Sequence, residues 1–307
     1  MHIEINKTLI YSHLDCLQHD PGYGHPENPK RLQTILDNIA HYEPAPLGNE
    51  QQVLLAHTSE MLEHIKAIAP SEGLAQIDAD TLMSAGSMQA ALRATGAACK
   101  AIDLLIAGNI QHVFCATRPP GHHATSNQSM GFCLFNHIAI AALYAQQEYD
   151  LARIAIVDFD VHHGNGTQDI VKDKKGLFYI STHQSPFYPG TGSEAENIPG
   201  NILNIPLASG TGHSAYQLIF SEQVIPALRD FKPQLLLVSA GFDAHHKDPL
   251  ASFDFSELTY QWLGQRLAAI AEEYCQSRML SVLEGGYNLE ALSTSIQAYL
   301  NGIQTNL

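Results

Sequence analysis

The sequence predicts an α/β protein with a central, mainly parallel sheet and helices on both faces. Three observations carry this. Short continuous apolar runs recur along the chain, as strands buried on both faces require. Longer stretches with helical periodicity alternate with them, the pattern of a parallel sheet wound with crossover helices. The residues with the most chemistry follow directly after apolar runs, where open α/β sheets collect their ligands.

Strands are expected around Leu9, Phe114, Ile156, Phe178, Leu203, Leu237 and Val282. Between them, apolar spacing predicts helices over 58–69, 89–107, 135–147, 215–230 and 255–275. The alanine-rich stretch 90–98 reads as a close-packed helix and not as a functional repeat. No internal repeat, linker or low-complexity tail breaks the pattern, and 307 residues suffice for one large core. We therefore expect a single domain over 1–307.

Composition bounds the function. Hydrophobic residues make up 45% and charged residues 15%, which indicates a globular enzyme-like chain and not a disordered one. A net charge of −15 argues against direct nucleic-acid binding and favours cationic substrates, although acidity also serves solubility. Cys16, Cys99, Cys115, Cys133 and Cys275 are scattered without CxxC spacing, which suggests reduced thiols in the cytoplasm. Cys133 falls near the site described next, but reads as a buried inert thiol. The start, Met1-His2-Ile3-Glu4, lacks the features of a signal peptide. No apolar run approaches the roughly 20 residues that span a membrane.

The most informative stretch is Asp158-Phe159-Asp160-Val161-His162-His163-Gly164-Asn165-Gly166-Thr167, after the strand-like run 154–157. Alternation along a strand would point Asp158, Asp160 and His162 to one side. Burying two acids with an imidazole is costly without compensation, and a divalent metal is the partner this set calls for. A second apolar run, 234–240, ends in Gly241-Phe242-Asp243. Asp160, His162 and Asp243 thus form a candidate ligand set that leaves metal positions open. A lone Asp after a strand is more often a turn former or helix cap; the combination is what is specific.

A third segment, Arg118-Pro119-Pro120-Gly121-His122-His123-Ala124, carries paired histidines suited to acid–base work near neutral pH. Asp158 can orient one and Asn165 the other; a carboxylate partner favours imidazolium, an amide partner eases deprotonation. The fourth segment, Glu284-Gly285-Gly286-Tyr287-Asn288, follows the run 279–283. Tyr287 can aim its hydroxyl at a developing oxyanion, a role this segment alone would not establish.

Together these segments resemble the histone deacetylase, acetylpolyamine amidohydrolase and acetoin-utilization superfamily, from Gly24-His25-Pro26-Glu27-Asn28-Pro29 through Asn288, in wording closer to its class II branch. The resemblance implies the arginase/deacetylase fold, with an eight-stranded, mainly parallel sheet. It implies zinc on Asp160, His162 and Asp243, an acid–base pair His122 and His123 backed by Asp158 and Asn165, and Tyr287 on the substrate carbonyl. Gly131 and Phe132 in Met130-Gly131-Phe132-Cys133 would line one side of a substrate tunnel. Phe187-Tyr188-Pro189-Gly190-Thr191-Gly192 would line the other, with Tyr188 where many relatives carry phenylalanine. A structural potassium ion is implied at Asp158, Asp160, His162, Ser181 and Thr182. The reaction implied is metal-assisted amide hydrolysis, with the water proton taken by a histidine, best His123 on its amide-partnered side.

A dinuclear arginase-type centre needs further bridging carboxylates. Gly164, Gly241 and His245 stand where these would be sought, so the dinuclear reading is rejected. A non-catalytic acyl-lysine reader would not need the complete acid, base, ligand and tyrosine set. Asp248-Pro249 is followed by Leu250, where polyamine-specific class II relatives carry an acidic gatekeeper. This favours lysine carrying an acetyl or other short acyl group, in proteins or peptides, over acetylated polyamines. The two-carboxylate, one-imidazole set also accepts Fe2+ or Mn2+. The loops 190–200 and 245–253 are expected to shape the rim. His245-His246 is not read as a metal pair, and His25 and Glu27 are assigned to an entrance loop.

Overall fold

A computed structural model of the chain describes residues 8–305. In chain order it contains β1 (Thr8–Ser12), α1 (Pro29–Asn38), β2 (Glu43–Pro44), α2 (Glu50–Val53), α3 (Ser59–Ile68), β3 (Leu74–Gln76) and β4 (Leu82–Ser84). There follow α4 (Ser87–Ile106), β5 (His112–Cys115), α5 (His137–Tyr149), β6 (Ile154–Asp158), α6 (Asn165–Val171), β7 (Leu177–Gln184) and β8 (Ile202–Leu207). The last elements are α7 (His213–Ile219), α8 (Ile225–Phe231), β9 (Leu235–Ala240), α9 (Glu257–Tyr274), β10 (Met279–Leu283) and α10 (Leu289–Gln304).

Eight strands form one sheet in the order β2-β1-β5-β10-β9-β6-β7-β8, with every neighbouring pair parallel. This is the arginase/deacetylase architecture expected. The two faces separate by residue parity. Phe114, Ala155, Val157, Ile180, Leu236 and Val238 enter one core. There they meet α9 and α10 through Tyr260, Leu263, Leu292 and Ile296. Val113, Cys115, Ile154, Ile156, Leu235 and Leu237 enter the other core, beside α4 and α5 through Ala98, Ile102, Ile138 and Ala141. Both faces are covered, which is why the strands read as unbroken apolar runs.

Side-chain caps place several helix starts. Asn28 accepts Lys30 N ahead of Pro29, Thr58 accepts Met61 N, and Asn136 accepts Ala139 N, so α5 begins two residues later than periodicity alone suggests. The expected helix over 215–230 is interrupted by a π-helical turn, Phe220–Val224. Pro226, at the start of α8, has no N–H to continue the α ladder, and a widened turn accommodates it.

Three parts of the fold were not anticipated. Strand β2 supplies the eighth strand with two residues, Tyr11↔Glu43 and Ser12↔Pro44. An antiparallel hairpin, β3 with β4, stands outside the main sheet. Helices α1, α2, α6 and α10 complete the layers, α10 starting at the Asn288 cap, which accepts Ala291 N.

Candidate active site

Strand order explains how the four segments meet. Strands β5, β10, β9 and β6 are successive neighbours, paired at their ends through Cys115↔Val282, Leu283↔Ala240 and Asp158↔Ser239. Segments 118–123, 284–288, 241–243 and 158–165 therefore leave one edge of the sheet side by side. Strand β6 stops at Asp158, so Asp160 and His162 lie in the following loop and not on the strand itself. The alternation nonetheless persists: Phe159 and Val161 enter the apolar core while Asp160 and His162 turn to the site. Backbone bonds hold this loop, with Phe159 N donating to Ser239 O at 3.2 Å and Asp160 N to Asp158 Oδ1 at 3.1 Å.

Asp160, His162 and Asp243 present ligand atoms all within 4.8 Å of one another, the one such group able to hold a metal ion among the described residues. His162 Nδ1 lies 3.1 Å from Asp160 Oδ1 and 3.1 Å from Asp243 Oδ2. Both carboxylates are fully buried. Burial and then the neighbouring Asp160 push the Asp243 carboxyl up to about 7. Burial would lower His162, but Asp160 and Asp243 raise it to about 10. Both directions express one demand, positive charge between two acids. The donor set, two carboxylates and one imidazole, fits a divalent ion. A side chain at Gly285 would bring a Cβ within 2.1 Å of Asp243 Oδ2, and one at Gly241 within 2.1 Å of Asp160 Oδ2. Glycine at both positions keeps this space open.

His122 Nδ1 donates to Asp158 Oδ2 at 3.0 Å, and the Tyr179 hydroxyl donates to the same oxygen at 2.9 Å. His123 Nδ1 donates to Asn165 Oδ1 at 2.8 Å. The expected division between carboxylate and amide partners is the one observed. Burial disfavours imidazolium at both positions, but Asp158, then Asp160 and Glu284, lift His122 to about 10. His123 is held well below the ordinary range by burial and by the neighbouring His122 and His162. The two rings lie 4.0 Å apart between centroids.

A cavity of about 90 Å³ opens over this cluster, lined by His123, Gly131, Phe132, His162, Tyr188, Leu250, Tyr287 and Asp80. All four residues expected along the tunnel, Gly131, Phe132, Tyr188 and Leu250, are there. Tyr188 meets His123 edge-on at 5.2 Å, and Phe132 meets Tyr287 edge-on at 5.9 Å. Phe187 stacks on His162 with centroids 5.2 Å apart, a contact the sequence did not suggest. Tyr287 is placed by Asp248, whose Oδ2 accepts Tyr287 N at 2.6 Å, and by the Arg31 guanidinium 4.9 Å from its ring centroid. Burial pushes the Tyr287 phenol well above its usual range.

Two features were missed. Asp80 carries no motif, and only the β3–β4 hairpin brings it to the cavity. Glu27 and Arg31 form a buried network with Arg118: Arg31 Nη1 donates to Glu27 Oε1 at 3.0 Å, and Arg118 pairs with both Glu27 oxygens. Arg31 also donates to the carbonyls of Gly286 and Glu284, both at 2.6 Å. The Glu27 assigned to an entrance loop thus braces the Tyr287 segment from behind. Ser181 and Thr182 are buried on β7, Ser181 in register with Asp158. Their hydroxyls contact His183 Nδ1 at 2.9 Å and the Tyr216 hydroxyl at 2.8 Å. His245 and His246 stack on each other outside the ligand group.

A parallel sheet that ends in a buried acid–imidazole group able to hold a metal ion, beside a paired His122 and His123 and the Tyr287 phenol, defines a hydrolytic class of site. The histone deacetylase domain family matches residues 25–303. Histone deacetylase 14, chloroplastic, of Arabidopsis thaliana is 38% identical over 316 residues, covering 94% of this chain and 74% of that protein. A histone deacetylase-like amidohydrolase of Pseudomonas aeruginosa is 36% identical over 278 residues, covering 86% of this chain and 73% of its own. The crystal structure of the HDA15 HD domain superposes with a TM-score of 0.91 at 34% identity, over 98% of this chain and 90% of that one. The chain belongs to the histone deacetylase family, and it is a hydrolytic deacetylase. No helix among the described residues is long and apolar enough to cross a membrane.

Proposed function

We propose that this chain acts as one deacetylase domain that removes acetyl groups from the lysine side-chain amine of proteins or peptides in the cytoplasm. The observation that carries this reading is the convergence of Asp160, His162 and Asp243 with His123 and Tyr287 around one narrow cavity. Zinc is the ion we assign to Asp160, His162 and Asp243, with Fe2+ accepted by the same donors. When bound it would supply Lewis-acid polarisation of the acetyl carbonyl and acidify a water.

The remaining work falls to the chain's own groups. His123, kept neutral by burial and by the neighbouring His122 and His162, and oriented by Asn165, takes a proton from water at Nε2. His122, kept as imidazolium by Asp158, donates a proton to the leaving amine. Tyr287 donates its hydroxyl to the carbonyl oxygen as negative charge develops there. Phe132 and Tyr188 flank the uncharged stem of an acetylated lysine and exclude water. We assign a structural potassium ion to Asp158, Asp160, His162, Ser181 and Thr182. The Ser181 and Thr182 hydroxyls have protein partners, so backbone carbonyls are the donors we expect there.

Leu250, apolar in the cavity wall, favours a lysine substrate. A second reading, an acetylpolyamine deacetylase, is favoured by Asp80, whose carboxylate in the same cavity can meet a distal ammonium. Zinc-loaded enzyme should be assayed on an acetyl-lysine peptide and on N-acetylputrescine, with Tyr287→Phe as the blank. Higher kcat/KM on the peptide supports the lysine reading. Preference for N-acetylputrescine that Asp80→Asn abolishes establishes the polyamine reading. Turnover of neither by metal-loaded protein would overturn both.

A further inference from the structure

We propose that Thr81 is a positioning residue that locks the Asp80 rim carboxylate and the Phe132 tunnel wall into one unit and so sets how substrate is held. The inference rests on the deacetylase reading and names the device that aligns substrate in that site. Thr81 lies in the hairpin between β3 and β4 and is 1% exposed. Its hydroxyl donates to Asp80 Oδ1 at 3.0 Å and accepts the backbone N–H of Phe132 at 3.0 Å. One small group therefore bridges two cavity-lining residues that lie on opposite sides of a long sequence gap.

Both ends of the bridge need a fixed partner. Gly131 and Phe132 are consecutive left-handed residues, at φ 57° and 67°, and for phenylalanine that region is strained unless the surroundings hold it. At the other end, Asp78 Oδ1 accepts Asp80 N at 3.0 Å and Thr81 N at 2.9 Å, which makes the hairpin turn rigid. His25 closes the arrangement: its Nε2 donates to Asp80 O at 3.1 Å while its ring meets Phe132 edge-on at 4.7 Å. Without the Thr81 hydroxyl, the Phe132 N–H loses its acceptor in the protein and the Asp80 carboxylate loses its link to the Phe132 wall.

Thr81→Val keeps the volume and removes the hydroxyl. We expect it to raise KM for an acetyl-lysine peptide about five- to tenfold while kcat stays within about twofold. Thr81→Ser restores the wild-type KM. Amide hydrogen exchange over 130–133 should rise about tenfold in Thr81→Val and not in Thr81→Ser, a readout that needs no turnover. Thr81→Ala takes the place of Thr81→Val should the latter not fold. An unchanged KM in an active enzyme overturns the inference and leaves the function standing. Unchanged exchange over 130–133, or a Thr81→Ser that behaves as Thr81→Val, overturns it as well. An inactive wild-type enzyme that still shows the exchange difference overturns the deacetylase reading, not the bridge.

Discussion

The Glu284 carboxylate accepts the backbone N–H of His122 at 3.1 Å, so the residue after β10 holds the turn that carries the histidine pair. The same oxygen accepts Gly121 N at 2.7 Å, and the other accepts the Ser239 hydroxyl at 3.0 Å. Burial pushes Glu284 up to about 7, with the His122 charge opposing the rise. Glu284→Ala strands two N–H groups and a hydroxyl in a dry interior and should cost about 3 kcal/mol in urea unfolding. Glu284→Gln retains acceptor oxygen and should cost less than half of that. Equal stability of Glu284→Ala and wild type would refute this role.

The different partners of His122 and His123 predict different rescue. Alanine at either position should lower kcat on the acetyl-lysine peptide by about 10²–10⁴-fold. On the corresponding ester, whose leaving oxygen needs less protonation, His122→Ala should recover much of the loss and His123→Ala should not. Equal recovery would show that the two imidazoles share their roles.

Positive charge between Asp160 and Asp243 should stabilise the fold as well as support activity. Zinc at about a hundred times its Kd should add about 2.7 kcal/mol to unfolding free energy. Asp243→Ala should abolish that gain. A thermal midpoint insensitive to zinc and to chelator would exclude this ligand group as a metal site.

His57 predicts an acid-side loss of stability through the segments that back the histidine pair. Its Nδ1 donates to Thr125 O at 2.9 Å and its Nε2 accepts Asn136 N at 2.8 Å, an arrangement that needs the neutral ring. Burial lowers its pKa from 6.5 to about 4. Between these values the unfolded chain binds the proton and the folded chain does not. Its contribution is therefore complete above pH 6.5 and falls away as the pH drops toward 4, by about 3 kcal/mol in all. Chemical unfolding of His57→Gln across this window should show a correspondingly flatter pH dependence. Parallel curves for the two proteins would assign the acid loss to other groups.

Some of the molecule was legible because its signal is local. Strands buried on both faces write themselves as apolar runs, and each site segment carries its own unusual residues. Helix α10 was passed over although Leu292, Ile296, Tyr299 and Ile303 keep helical spacing. Strand β2 was not legible, since two residues have no periodicity. Arg31 and Glu27 look like surface charges in sequence and are fully buried in the fold, because Arg118 arrives from across the molecule to pair with Glu27 while Arg31 bonds Glu27 and the carbonyls of Glu284 and Gly286.

The sequence by itself indicated the class of sheet, the candidate acid and imidazole ligand set, and a histidine pair with one carboxylate and one amide to divide between them, each read from unusual residue types directly after an apolar run. Tertiary structure alone decided the strand order that sets β5, β10, β9 and β6 side by side. It alone carried Asp80 to the cavity, set Thr81 between Asp80 and Phe132, and put Glu284 behind the histidines. These relationships join residues 51 to 163 positions apart. Pairing at that range is settled by sheet register and by the cost of leaving buried polar groups without partners, and no local pattern encodes it.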